Sequence, residues 1–199
     1  MFEFIEKVVY INLVHRTDRK SQIESELQKY FPVEKIVRFN AIKHNHGGIG
    51  ASMSHIAVLE MAIENNWKNV LVLEDDSVWS SNSDNSYELL LNLIKNPYDV
   101  IMLGATHAKY TPNFKVLSAQ SGNAYLVQEH YYPVLLEKFK EGLHNFLTTG
   151  NYGAFALDQY WKRLQATDNW YCVIPSLMIQ RPSYSDIEKR VTDYSKEFS

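Results

Sequence analysis

The stretch Val70-Leu71-Val72-Leu73-Glu74-Asp75-Asp76 decides how this chain is read. Four consecutive apolar residues, half of them β-branched and with no polar alternation, describe a strand covered on both faces. The run stops abruptly in three acids. Ligands of an open α/β sheet gather outside the carboxyl ends of its strands, so an acidic triplet there lies where a site forms. Extended geometry sets Glu74 and Asp76 on one side and Asp75 on the other. Two carboxylates about 4 Å apart repel by roughly 4 kcal/mol at an effective dielectric near 20. A hard divalent cation, Mg²⁺ or Mn²⁺, relieves that repulsion, because it takes oxygen ligands and completes its shell with phosphate. A solvated turn is the plainer use of an acidic triplet; the buried strand before it favours a site.

Working outward, residues 7–13 (KVVYINL) repeat the buried-strand pattern. Asp18 opens a helical stretch over 19–30, with Ile23, Leu27 and Tyr30 on one face and Pro32 as its stop. A short strand over 33–39, a glycine-rich turn (Gly47, Gly48, Gly50) and a broadly apolar helix over 52–65 follow. Beyond the acidic triplet come a polar loop over 80–86, a helix over 87–95 and a strand over 99–103. This β-α-β-α-β-α-β order predicts a Rossmann-like, mostly parallel sheet with right-handed crossovers. Past Gly104 the order changes to strands over 115–118 and 124–127, helices over 134–140 and 155–164, and a strand over 171–174 closed by Pro175. These predict a mixed extension of the same sheet.

At about 150 residues per domain, 199 residues describe one domain spanning 1–199. With 45% hydrophobic and 22% charged residues the chain is too apolar to be disordered. Basic residues number 20 against 23 acidic ones, with no basic stripe to displace counterions, so nucleic acid is not an expected partner. Cys172 is the lone cysteine and cannot form an internal disulfide. Residues 1–7 (MFEFIEK) carry acids where a signal peptide needs a basic and then apolar run, and no apolar run approaches ~20 residues. A cytoplasmic protein without a membrane span is the expectation.

Three further features converge on the same sheet edge. Asn12, Arg16 and Arg19 follow the first strand, where a guanidinium offers forked donors to phosphate or a carboxylate, or where Asp18 simply caps a solvated helix start. Gly47 to Gly50 precede a helix N-terminus, whose free N–H groups receive anions or sugar hydroxyls. His55 serves in that helix as a hydrogen-bonded packing residue or as a ligand.

In order, these residues resemble glycosyltransferase family 25, the lipopolysaccharide and procollagen galactosyltransferase group. Its opening N-L-x-x-R-x-D-R is met by Asn12, Leu13, Arg16, Asp18 and Arg19, and the turn after its second strand by Asn40-Ala41. Its G-x-I-G-C-x-x-S-H block is met by residues 48–55, including Ser54 and His55, with Ala51 in place of the cysteine. Its L-E-D-D block is Leu73-Glu74-Asp75-Asp76. Later, Ala124-Tyr125, Asp158, and Pro175 with Ser185-Asp186-Ile187 are similar to the family's downstream blocks.

The resemblance implies an A-type glycosyltransferase fold, with residues 1–104 as the nucleotide-sugar half and 105–199 as the acceptor half. It also implies a UDP-sugar donor, galactosyl or glucosyl, and inverting transfer to a hydroxyl of a glycan or glycosylated-protein acceptor. Donor binding then falls to Asn12, Arg16, Arg19, Asn40, Ala41, Ser54, His55, Glu74 and Asp75, and the metal, Mn²⁺ or Mg²⁺, to Glu74 and Asp76. Asp158 becomes the candidate base for the acceptor proton, against the alternative of a helix-surface aspartate. No histidine follows His144, so water, His107 or the diphosphate would complete the metal shell. Tyr160, Trp161, Trp170 and Tyr171 offer faces for sugar stacking, with core packing the commoner use.

A haloacid-dehalogenase-type hydrolase fails on residue identity, since Glu74 stands where its nucleophilic aspartate belongs. A receiver domain fails on position, because its acids follow the first strand, where this chain has Ile11-Asn12-Leu13. The alternative in a different class is a catalytically silent transferase-like domain that binds a sugar nucleotide or a partner protein.

Overall fold

The computed structural model describes residues 2–81, 83–185 and 189–198. In chain order its elements are β1 (Lys7–Asn12), α1 (Thr17–Leu27), β2 (Ile36–Asn40), α2 (Gly47–Glu64), β3 (Asn69–Glu74), β4 (Ser77–Trp79), α3 (Ser83–Leu93), β5 (Val100–Tyr110) and β6 (Val116–Gln128). There follow α4 (Tyr132–Thr149), α5 (Tyr152–Phe155), α6 (Leu157–Tyr160), α7 (Lys162–Gln165), β7 (Trp170–Cys172), β8 (Met178–Gln180), β9 (Ser183–Ser185) and β10 (Arg190–Thr192).

Six strands form the central sheet in the order β2-β1-β3-β6-β5-β7, and only β6 runs against the rest. The unalternating apolar run behaves as expected. Val70 and Val72 point into one core with Leu59 and Trp161, Leu71 and Leu73 into the other with Ile23 and Leu90, and all four strand residues are fully buried. Complete burial of each such side chain is worth roughly 1.5–3 kcal/mol, which ties the acidic triplet to a rigid base.

Several boundaries differ from the sequence reading, each for a visible reason. The glycines at 47–50 are the first turn of α2, not a turn ahead of it. A Cβ at Gly50 would lie 2.5 Å from the Ile42 carbonyl oxygen, so only glycine permits the incoming chain to pass so close. The strand expected over 33–39 begins at Ile36, behind a 3₁₀ turn at Val33–Lys35. The expected loop over 80–86 gives way to α3 at Ser83.

The strands expected over 115–118 and 124–127 are one strand, β6. Its polar middle imitates a loop because Gln120, Ser121 and Gly122 line a cleft and not the core. β6 lies between β3 and β5, so the fourth parallel strand is not a neighbour of the third. The helix expected over 155–164 is broken into α5, α6 and α7, with Ala156 extended at φ −54° and ψ 148° between the first two.

Candidate functional site

The carboxyl ends of β1 and β3 open into a cleft of about 940 Å³. The two strands are parallel and in register, Ile11 beside Glu74, which carries Asn12 alongside Asp75. Fully buried Asn12 donates from Nδ2 to Asp75 Oδ2 at 2.7 Å. Its Oδ1 accepts from Arg38 Nε at 3.1 Å and Nη2 at 2.7 Å. Arg19 donates from Nη1 to Asp75 Oδ1 at 2.7 Å and approaches Asp76 Oδ2 at 3.2 Å. Both oxygens of Asp75 are thereby held from within the protein.

Arg19 also donates from Nη2 to Ser183 Oγ at 2.6 Å and to the Tyr184 carbonyl at 2.7 Å, fastening β9 to the acidic turn. Nη1 and Nη2 are engaged within the protein, while Nε has no hydrogen-bond partner among the described residues, and the side chain borders the cleft. The alternation expected for an extended triplet ends at Glu74, since Asp75 and Asp76 turn and one guanidinium reaches both.

Asp76 and Glu74 are less fully held. Asp76 Oδ1 is buried and has no hydrogen-bond partner among the described residues. Burial, and next the charge of Glu74, push the Asp76 carboxyl up to about 7. Glu74 accepts from Gln180 Nε2 at 3.0 Å through Oε2, while its Oε1 lies 3.9 Å from His55 Nε2. An orphaned buried oxygen beside a second carboxylate is a donor set suited to a hard cation. Among the described residues, no three His, Cys, Asp or Glu side chains converge as a complete metal site.

On the other side of the cleft, Asp158 stands in the first turn of α6 and accepts the Ser121 N–H at 3.1 Å through Oδ2. Burial pushes its carboxyl above the ordinary range against the pull of the Ser121 N–H, with Glu74 adding to the rise and Lys162 opposing it. A carboxylate so placed is a stronger base than one in water.

The remaining sequence candidates divide into those on the cleft wall and those behind it. Ala41, Ser54 and His55 line the cleft. Ser54 Oγ accepts the Ile42 N–H at 2.8 Å and donates to the Gly50 carbonyl at 2.7 Å, shaping the loop after β2. His55 is buried, with Nδ1 2.9 Å from the Tyr125 hydroxyl, so its packing role is realised even though it edges the cleft. Arg16 is drawn to Asp18 at 3.0 and 2.9 Å and to the Tyr184 carbonyl at 3.4 Å. Asn40 ends β2 exposed, and neither it nor Arg16 is among the cleft-lining residues. His107 also lines the cleft, its Nε2 3.2 Å from Glu197 Oε2. Asp186 and Ile187 lie outside the described residues.

The sequence reading passed over Arg38, Gln180, Ser183 and Tyr152. A signal for Arg38 existed: Asn12 pairs with Asn40, and Arg38, two residues earlier, shares that residue's face of β2. Gln180 and Ser183 carry no such signal, since only chain reversal through β8 and β9 returns them to the site.

The model of glycosyltransferase family 25 (LPS biosynthesis protein) matches residues 45–152. No curated protein matches the sequence significantly. The crystal structure of a glycosyltransferase involved in the glycosylation of the major capsid of PBCV-1 is similar over 92% of this chain and 95% of that one, with a TM-score of 0.59 at 10% identity. A197 from STIV is similar over 95% of each chain, with a TM-score of 0.50 at 14% identity. The sheet order and these likenesses give the A-type glycosyltransferase fold. Among the described residues, no helix is long and apolar enough to cross a membrane.

Proposed function

This chain belongs to glycosyltransferase family 25, and from that premise we propose that it moves a hexosyl group from a UDP-sugar to a hydroxyl of a glycan or protein-linked acceptor, with inversion at the anomeric carbon. The observation that carries this reading is the buried Oδ1 of Asp76, without a partner among the described residues, beside Glu74 in a cleft that also holds Asp158. Glu74 and Asp76 would hold Mn²⁺ or Mg²⁺, which when bound offsets the negative charge that grows on the departing diphosphate. The chain's own residues do the rest.

Asn12, Arg38 and Arg19 keep Asp75 and the turn rigid, so the two remaining carboxylates meet a donor without reorganising. Ala41 and Ser54, on the cleft wall, would bear the donor's nucleoside. Asp158, across the cleft, takes the acceptor hydroxyl proton as that oxygen attacks the anomeric carbon from the face opposite the diphosphate. Attack from that face is what inverts the centre.

The test is a thermal-shift panel of UDP, GDP, CMP and TDP sugars with and without Mn²⁺, followed by UDP release across acceptors. A ligand at a hundred times its dissociation constant adds about 2.7 kcal/mol of stability. The expected pattern is metal-dependent stabilisation by UDP-sugars and UDP release that rises with acceptor. Stabilisation without any release under all acceptors would instead support the silent, ligand-binding alternative.

A further inference from the structure

Of the aromatic residues that sequence reading offered for sugar stacking, Trp161 and Trp170 are fully buried, Tyr160 nearly so, and Tyr171 is partly buried against the core; none of the four lines the cleft. A different ring occupies the cleft wall. Tyr152 opens α5, lines the cleft and remains 45% exposed. It is also held firmly. Its ring centroid lies 5.7 Å from both His46 and Phe146, and those two rings meet edge-on at 5.0 Å. Phe146 is buried beneath, so the cluster presents one half-open ring on a fixed base.

Gly48 explains how the ring reaches its place. A Cβ there would stand 2.5 and 3.0 Å from Tyr152 Cε2 and Cδ2, so only glycine in the first turn of α2 admits it. The chain around the ring is anchored too. Gly150 ends α4 at φ +67°, and the Asn151 side chain caps α5 by accepting the Ala154 N–H at 3.1 Å.

Tyr152 precedes Asp158 by six residues, and both side chains border the same cleft. Its supporting contacts, His46, Gly48 and Phe146, share no residue with those that hold the acidic triplet. The Tyr152 carbonyl accepts the Ala156 N–H at 2.9 Å, two residues before Asp158, so ring and carboxylate stand on one segment of the cleft wall.

We propose that Tyr152 is the platform of the acceptor subsite, and that the acceptor is a pyranose whose C–H face lies on the ring while its hydroxyl is turned toward Asp158. This rests on the transferase reading and narrows it to a glycan acceptor over a peptide hydroxyl. A pyranose has an apolar face broad enough to cover an aromatic ring and hydroxyls at its rim, the combination that a half-exposed tyrosine beside polar groups recognises. A serine or threonine side chain has no such face.

Saturation-transfer difference NMR on the full chain tests this, with methyl β-galactoside, methyl β-glucoside and methyl α-mannoside as probes and UDP with Mn²⁺ in a parallel arm. At least one glycoside is expected to show transfer centred on its ring C–H protons, weakened roughly 3- to 10-fold by Tyr152→Ala and retained by Tyr152→Phe. UDP signals should be unchanged in both variants, whose melting curves report that the fold is kept; should Tyr152→Ala not fold, Tyr152→Leu takes its place. Glycoside signals equal in the parent and the truncated variant would overturn the proposal, as would their absence while UDP binds. Loss of the uracil signals with Tyr152→Ala would also overturn it, assigning the ring to the nucleobase. Glycoside binding without any UDP binding would leave the platform standing and count against the UDP-sugar reading alone.

Discussion

Asn12 and Asp75, 63 residues apart in the chain, meet through a buried hydrogen bond of 2.7 Å at the adjoining ends of two parallel strands. The bond makes the middle acid of the triplet structural. Asp75 is saturated by Asn12 and Arg19, and the acids on either side of it are left to face the cleft. Burial pushes the Asp75 carboxyl up while Arg19 and Asn12 pull it down, so the clamp keeps a desolvated carboxylate in place.

Asn12→Ala removes a buried bond to a carboxylate and strips Arg38 of its acceptor. Such a bond contributes about 1.5–3 kcal/mol, so the melting temperature is expected to fall by roughly 3–10 °C in thermal denaturation. Unchanged melting would mean that Arg19 alone secures Asp75.

Arg19→Met should cost more, because it leaves two buried carboxylates without their cation. A loss of roughly 3–5 kcal/mol is expected at pH 8, a fall on the order of 10 °C. The deficit should shrink as the pH is lowered and the carboxylates take up protons. Melting curves of parent and variant between pH 5 and 8 measure this directly.

Asp76 predicts a pH dependence of its own in the metal-free protein. Its folded value, about 7, is above the ordinary carboxylate value of 3.8, so the folded chain holds this proton more tightly than the unfolded chain. The associated stability is fully present below about 4 and is lost as pH rises through about 7. Asp76→Asn should therefore grow more stable relative to its parent between pH 4 and 7. A difference that stays flat across that window would remove Asp76 as the ionisation responsible.

The same residue separates metal from donor. Asp76→Ala is expected to abolish the Mn²⁺-dependent part of UDP-sugar affinity while the fold persists, as read by calorimetry with and without the ion. Equal donor affinity in parent and variant, with metal present, would retire the metal role.

Asp158→Asn keeps the size of the side chain and its hydrogen bond from Ser121 but removes the basic oxygen. Donor affinity should survive, and acceptor-dependent UDP release should drop by a factor of about 10² to 10⁴. Loss of donor affinity would move Asp158 to the donor's binding surface. Full activity would place the base elsewhere.

Much of this arrangement was legible from local pattern. The burial of residues 70–73 on both faces, the parallel ladder of β1, β2 and β3, and the position of Glu74 at a strand end follow from an apolar run that stops in acids. At the site, pattern misled in two places. The Gln120-Ser121-Gly122 segment is polar because it faces the cleft, and it split one strand into two expected ones. Likewise the glycines at 48 and 50, which suggest a turn, sit inside a helix because Tyr152 and the chain at Ile42 pass too close for any side chain.

By itself, the sequence determined which segments are buried strands and that three acids terminate one of them, because burial imprints its period on neighbouring residues. Tertiary structure alone decided that Gln180 holds Glu74, that Asp76 Oδ1 lacks a partner among the described residues, and that Tyr152 and Asp158 border one cleft. Such contacts depend on which elements meet: Gln180 reaches Glu74 from β8, and Ser121 reaches Asp158 from β6, which runs between β3 and β5. Central strands covered on both faces carry the same apolar pattern wherever they stand in the sheet, so no local period tells one neighbour from another.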